Sequence, residues 1–175
     1  PPAAGKIPDA DELSDQLSSI GLTENSIVIA YDDEGGGWAG RLIWTLDVIN
    51  HRHYHFLDGG IIAWLAENRP VSQGNAAIQA TQFSATIDNA QLVTAAEIIN
   101  SLGKDNFAIW DARSAEEHSG EKVLAARGGH IPGAVNLDWL ELMDRNNHLR
   151  LKPLEDIKNT LDNININKSN GNSVI

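Results

Sequence analysis

The 175-residue chain contains no cysteine and has little positive charge. Without cysteine it has no disulfide, no thiolate zinc site and no thiol nucleophile of its own. Its 13 lysine and arginine residues face 24 aspartate and glutamate residues, which gives a formal net charge of −11. This balance argues against nucleic acid or an anionic membrane as a partner, because both are bound through basic patches. The negative net charge is still compatible with a small anionic substrate, because one arginine in a pocket outweighs the field of the more distant carboxylates.

Long apolar runs are also missing. No stretch of 18 or more apolar residues, the length of a transmembrane helix, occurs in the sequence. No signal-peptide pattern opens the chain, which favours a cytoplasmic location. The first residues, Pro1-Pro2-Ala3, and the last, Ser173-Val174-Ile175, look like internal segments. We therefore expect the chain to be a piece of a longer protein.

Short apolar strands alternate with amphipathic helices, which is typical of an α/β fold with a mainly parallel sheet. A polar stretch over residues 71–90 is interpreted as an interdomain linker. Thr94 and Glu97 have the spacing of a capping box at a helix start. The pattern predicts helices over 9–20, 38–49, 61–68, 94–102 and 154–161, and strands over 27–31, 54–57, 107–110, 134–137 and 173–175.

Two motifs follow or precede strands in the second part of the chain. Asp111-Ala112-Arg113-Ser114 comes at the carboxyl end of a strand, where open α/β sheets place their ligand crevice. The alternative is a capping aspartate beside a solvated arginine. His130 lies in the rigid turn 128–134, and a structural hydrogen bond to a neighbouring loop is favoured over a chemical role.

An acidic, glycine-rich loop separates a strand from a helix start in the first part: Asp32, Asp33, Glu34, Gly35, Gly36 and Gly37. Such a position usually suits an anion. Three carboxylates oppose one, and no Lys-Ser/Thr pair follows, so a phosphate loop is excluded. We interpret the segment as a structural or degenerate loop.

Three alternating histidines, His51, His53 and His55, would share one face of a strand and could bind a metal ion. The favoured interpretation is an exposed turn with solvated histidines. On that interpretation the chain has no metal site.

Two stretches resemble the rhodanese family. Residues 107–137, with FAIWDARS, GEK and GHIPGAVNL, resemble the first half of a rhodanese domain. Residues 27–65, with VIAYDDEGGGWAGR, LDGG and AW, resemble the second half of one. A second half that precedes a first half is the order expected in the middle of a tandem-domain protein, and the character is that of the bacterial tandem-domain thiosulfate sulfurtransferases.

The resemblance implies an α/β fold with a parallel five-stranded sheet flanked by helices, present as the second half of one domain and the first half of another. Residues 1–70 would be the C-terminal part of an inactive domain, and 91–175 the N-terminal part of the catalytic one, on either side of the linker. Closure into one circularly permuted domain is an open alternative.

The resemblance also implies residue roles. Asp33, or a neighbour in the acidic loop, stands where an active domain has its cysteine, so the first domain should be inert. In the second domain, Asp111 and Arg113 would border the cysteine loop, and Trp139 would pack near it. Glu117 stands where the mitochondrial enzymes have a substrate-binding arginine, which puts thiosulfate in doubt as the donor.

The activity implied for the longer protein is transfer of sulfane sulfur, from thiosulfate to cyanide or another thiophile, through a cysteine persulfide beyond Ile175. The 175-residue chain itself should be inactive. The partners would be a small anionic sulfur donor and a thiophilic acceptor, without a cofactor. 3-Mercaptopyruvate or a protein-bound persulfide is the alternative donor, and a non-catalytic rhodanese-like binding module is the alternative function.

Overall fold

A computed structural model describes residues 5–166 and the backbone of Ser173–Val174. The chain divides into two compact units, unit 1 over residues 1–92 and unit 2 over residues 93–175. Of the helices in the described part, none combines the length and the apolar character needed to cross a membrane.

In the part of unit 1 that the structure describes there are three α-helices, one 3-10 helix (Asn89–Gln91) and two strands. All five predicted elements are confirmed, with ends shifted by at most two residues. The two strands run parallel, with Val28 opposite Tyr54 and Ala30 opposite Phe56. The elements are α1 (Ala10–Ser19), β1 (Val28–Ala30), α2 (Gly37–Val48), β2 (Tyr54–Phe56) and α3 (Gly60–Ala66).

The core of unit 1 forms where α1 packs against α2. The side chain of Asp9 caps α1 by accepting the backbone N–H of Glu12 at 2.9 Å. One turn apart on α1, Leu13 and Leu17 are buried in a cluster that includes Leu46 of α2. Burial of each such leucine contributes roughly 1.5–3 kcal/mol. This core supports the loop between β1 and α2.

The second half of the predicted linker is a packed part of unit 1. Residues 67–88 contain no helix or strand, but the backbone N–H groups of Phe83 and Ala85 donate to the hydroxyls of Ser18 (2.9 Å) and Ser14 (2.8 Å) on α1. Ala85 is buried in the core cluster, with Phe83 packed against it. Apolar and polar residues alternate in this segment, but the run is too short for the sequence pattern to predict that it packs against the core.

Among its described residues, unit 2 contains three α-helices, one 3-10 helix (Trp139–Leu142) and six short strands. The predicted helices are confirmed, as is the capping box of Thr94 and Glu97. The predicted strands are confirmed except that the one over 107–110 is divided into two short strands at Ile109, and Ile175 of the last predicted strand lies outside the described residues. Helix α5 and the β6–β7 hairpin were not predicted. The elements are α4 (Ala95–Ser101), β3 (Phe107–Ala108), β4 (Trp110–Asp111), α5 (Ala115–Ser119), β5 (Val135–Asn136), β6 (Met143–Asp144), β7 (Arg150–Leu151), α6 (Leu154–Asn163) and β8 (Ser173–Val174).

The strands of both units associate in pairs. β1–β2, β3–β8 and β4–β5 are parallel, and β6–β7 is antiparallel. Helices alternate with parallel strands, so the predicted α/β class is confirmed. Within the described residues, each sheet has two strands. The five-stranded sheet therefore stays a prediction.

Candidate functional site

A cleft of about 480 Å³ opens in unit 2 beside the end of β4. Because β4 and β5 are parallel, their carboxyl ends meet at one edge, which is where α/β folds place ligands. The cleft is lined by both polar and apolar residues. Its lining includes the polar Asp111, Arg113, Arg127 and His130 and the apolar Ile109 and Ile131.

Asp111 and Arg113 form a bidentate ion pair at the end of β4. The Arg113 guanidinium donates from Nε to Oδ1 of Asp111 at 2.8 Å and from Nη2 to Oδ2 at 2.6 Å. Asp111 is largely buried, with 9% of its side chain exposed. The bonds from Arg113 hold the pKa of Asp111 well below its ordinary value, although burial acts in the opposite direction. Asp111 is therefore a carboxylate at neutral pH.

A closed network joins this ion pair to α5 and to the turn before β5. Nδ1 of His118 donates to Oδ2 of Asp111 at 3.0 Å, and Nη2 of Arg113 donates to the carbonyl oxygen of Gly129 at 2.9 Å. The rings of His118 and His130 stack, with centroids 3.6 Å apart and planes at 9°. Nδ1 of His130 donates to the carbonyl oxygen of His118 at 2.8 Å. These five residues are called the Asp111 network below.

The network confirms the structural hydrogen bond predicted for His130. His118 was missed as part of the site, because its partner Asp111 is seven positions away and the short helix α5 that carries it was not predicted. Helix α5 is capped by Ser114, whose hydroxyl accepts the backbone N–H of Glu117 at 3.4 Å. A capping serine followed by Glu116 and Glu117 was the available signal.

Glu117 and Trp139 lie near the ion pair but are not among the cleft-lining residues. The Glu117 carboxylate is 3.9 Å from Nζ of Lys122. The pKa of Arg113 is raised, mainly by its hydrogen bonds to Asp111, and the negative charge of Glu117 raises it further. The backbone N–H of Trp139 donates to the carbonyl oxygen of Ala112 at 3.1 Å. The roles predicted for both side chains therefore stay predictions.

In unit 1, the Asp32 carboxylate occupies the start of α2. Its Oδ1 accepts the backbone N–H groups of Glu34 (3.1 Å) and Gly36 (2.8 Å). Its Oδ2 accepts those of Trp38 and Ala39, both at 3.0 Å. Burial raises the pKa of Asp32, but these four donors outweigh it and the pKa lies below its ordinary value. The acidic side chain at the start of α2 is thus that of Asp32, one residue before Asp33.

The turn that begins α3 holds the same loop from the other side. The N–H of Ile61 donates to the carbonyl oxygen of Asp32 at 3.0 Å. Gly60 has a positive φ of 52°, and a Cβ there would lie 2.1 Å from that carbonyl oxygen. Only glycine fits at this approach.

The three histidines of unit 1 do not share a strand face, so that premise of the metal interpretation was wrong. Only His55 lies in β2, and His53 and His55 are exposed. His51 is buried, with Nε2 donating to the carbonyl oxygen of Ser26 at 3.0 Å, which corrects the prediction that it is solvated. In the described part of the chain, no three potential ligands lie together as a metal site would require.

Comparison with known proteins places this geometry in context. Residues 94–175 match the Rhodanese-like domain family. Over 166 residues the chain is 44% identical to a thiosulfate sulfurtransferase of Azotobacter vinelandii and 40% identical to one of Pseudomonas aeruginosa, covering 95% of this chain and 60% of each relative. A 3-mercaptopyruvate sulfurtransferase of Mus musculus is 33% identical over 157 residues, which are 87% of this chain and 52% of that relative.

The same fold occurs in the 3-mercaptopyruvate sulfotransferase SseA of Escherichia coli, with a TM-score of 0.82 at 23% identity, covering 92% of this chain and 60% of that one. The fold class is therefore rhodanese-like. Residues 94–175 belong to the Rhodanese-like domain family, and the chain as a whole is similar to the two bacterial thiosulfate sulfurtransferases. It spans about 60% of the length of the two bacterial relatives.

Proposed function

We propose that these residues are part of a sulfurtransferase, in which unit 2 forms one wall of the catalytic site and unit 1 is inert. The observation that carries this proposal is the 44% identity to a thiosulfate sulfurtransferase over 95% of the chain. The cleft beside β4 supports it, because it brings two arginines, Arg113 and Arg127, to the edge of a parallel strand pair.

The nucleophile comes from outside these residues, because the chain has no cysteine. A cysteine thiolate attacks the outer sulfur of thiosulfate, the S–S bond of thiosulfate breaks, and sulfite leaves with the bonding electron pair. The enzyme then holds a persulfide. Cyanide attacks its outer sulfur, thiocyanate leaves, and the thiolate is regenerated.

In this mechanism the Asp111 network keeps one wall of the cleft in a fixed shape. The ion pair of Asp111 and Arg113 is bidentate, and Arg113 also holds the carbonyl oxygen of Gly129. A preorganised wall lowers the reorganisation needed when an anionic donor binds next to the thiolate. We assign Asp111 and Arg113 this positioning role.

Unit 1 is inert in this proposal because a carboxylate takes the place of a thiolate. The Asp32 carboxylate accepts four backbone N–H groups at the start of α2. Such a ring of donors lowers the pKa of a thiol and stabilises a thiolate. Carboxylate oxygens form no persulfide, so sulfur does not load onto this loop.

The donor class follows from the relatives and from Glu117. The relatives include two bacterial thiosulfate sulfurtransferases, at 44% and 40% identity, and a 3-mercaptopyruvate sulfurtransferase at 33% identity. Thiosulfate is the donor that we propose, because the bacterial relatives with the higher identity carry that name. 3-Mercaptopyruvate, with pyruvate as the leaving product, is the second candidate, favoured by the acidic Glu117 in place of an arginine.

Two proteins test the function: the 175-residue chain, and the longer protein that contains it together with a cysteine. With thiosulfate and cyanide, we expect thiocyanate from the longer protein, and no rate above the uncatalysed one from the chain. Mass spectrometry after thiosulfate alone should show one added sulfur atom, absent when the cysteine is replaced by serine. Parallel assays with 3-mercaptopyruvate compare kcat/KM for the donors. Thiocyanate formation by the chain, or an inert longer protein, would contradict the proposal.

A further inference from the structure

We propose that Arg127 is the residue in the unit 2 cleft that binds the anionic group of the sulfur donor; this inference rests on the proposed function. Arg127 lines the same cleft as Arg113 and is followed by Gly128 and Gly129, which also line it. The two arginines differ in what their guanidinium groups already bind.

Arg113 is committed to the protein. It donates two side-chain bonds to Asp111, at 2.8 and 2.6 Å, and a third to the carbonyl oxygen of Gly129 at 2.9 Å. Its charge is compensated by a carboxylate with 9% exposure. If the donor drew Arg113 away, that carboxylate would be left without its counter-ion, which is strongly unfavourable. Arg113 therefore builds the wall of the cleft and is not the residue that captures an anion.

The other basic side chains in this part of unit 2 are also engaged. Nδ1 of His118 donates to Asp111, and Nδ1 of His130 donates to a backbone carbonyl. Lys122 is 3.9 Å from the Glu117 carboxylate. Arg127, in contrast, is exposed and has no hydrogen-bond or ion-pair partner among the residues that the structure describes. The uncompensated positive charge of the cleft lies on Arg127.

The chemistry of Arg127 fits one class of ligand. A guanidinium group donates two parallel hydrogen bonds to two oxygens on one atom, as in a carboxylate or the SO₃ group of thiosulfate. The lining of the cleft also includes the apolar side chains of Ile109 and Ile131, which suit the uncharged remainder of such a donor. Arg127 would thus select anionic sulfur donors over uncharged ones, and would accept thiosulfate and 3-mercaptopyruvate alike.

A titration of the ¹⁵N-labelled 175-residue chain with sodium thiosulfate, at constant ionic strength, tests this assignment. We expect saturable shifts of the backbone amides of Gly128, Gly129 and His130. Arg127→Ala should raise the dissociation constant at least about tenfold, and Arg127→Lys should lie between, because lysine keeps the charge but loses the planar fork. The matched control is Arg145→Ala, which removes an exposed arginine of the same unit outside the cleft and should change nothing.

Three results would overturn the assignment: no saturable shift in the unmodified chain, equal affinity in Arg127→Ala, or an equal loss in Arg145→Ala. Thiourea, an uncharged sulfur compound, should cause no saturable shift, and saturable binding of it through Arg127 would refute selection by charge. Binding to the cleft requires no cysteine. A longer protein that fails to transfer sulfur would therefore refute the proposed function and leave the titration unaffected.

Discussion

Replacing Asp32 by alanine should destabilise unit 1 by about 2–4 kcal/mol. Two of the four N–H donors to Asp32, those of Gly36 and Ala39, belong to part-buried bonds, and the other two are exposed. The exposed donors find water in the variant. The donors of Gly36 and Ala39 are only part-buried, so each one left without a partner costs about 1–1.5 kcal/mol, the lower part of the range for buried donors. Loss of the negative charge at the start of α2 adds about 0.3–1 kcal/mol.

Urea denaturation, with hydrogen exchange measured by NMR, separates this effect from a general loss of stability. Asp32→Ala should lower the free energy of unfolding by the amount above and remove the protection of the Gly36 and Ala39 amides. Asp32→Asn keeps one acceptor oxygen and should lose about half as much. Asp33→Ala, the matched control on the exposed neighbouring carboxylate, should change stability by less than about 0.5 kcal/mol. A loss below about 1 kcal/mol for Asp32→Ala, or an equal loss for Asp33→Ala, would refute the reasoning.

Three further predictions concern glycine packing, the Asp111 network and pH. Gly60→Ala should lower Tm by many degrees, because the new Cβ would lie 2.1 Å from the carbonyl oxygen of Asp32. The control is Gly40→Ala on α2, where the Cβ would meet open space, and it should leave Tm unchanged or raise it. Equal Tm values for the two variants would contradict this prediction. His118→Ala should cost about 1–2 kcal/mol in urea denaturation through its lost bond to Asp111, and an unchanged midpoint would exclude that contribution. The pKa of Asp111 is lowered from 3.8, so its stabilisation is present above that pH and is lost as the pH falls below it. The stability gap between the unmodified chain and Asp111→Asn should therefore close on acidification, and a gap constant from pH 7 to 2 would disprove the sign.

Most regular elements of the fold, though not helix α5 or the β6–β7 hairpin, were accessible from sequence because their signals are local. The leucines of α1 repeat at helical spacing, and Thr94 with Glu97 marks the start of α4 within four positions. Packing between distant segments was not accessible. Phe83 bonds to Ser18 across 65 positions, and neither residue carries a pattern that identifies the other.

The same division holds for the candidate site. Asp111 and Arg113 could be predicted as a pair because they are two positions apart at the end of a strand. The stacking of His118 on His130 depends on the path of the chain between them, which periodicity does not encode. Only the side-chain geometry shows that Arg113 is bound to Asp111 and Gly129 and that Arg127 is left to bind a ligand. The sequence alone therefore does not show which of the two arginines already has a hydrogen-bond partner within the protein.

The carboxylate of Asp32 also bears on how unit 1 responds to its surroundings. It is tethered two to seven positions from the four amides that it binds. A well-oriented tethered group acts at an effective molarity far above any concentration that a dissolved ion reaches. Sulfate, phosphate or thiosulfate at millimolar levels therefore competes poorly for those amides. Unit 1 should keep the same loop conformation in buffers of very different anion content, which makes its resonances an internal reference for titrations of unit 2.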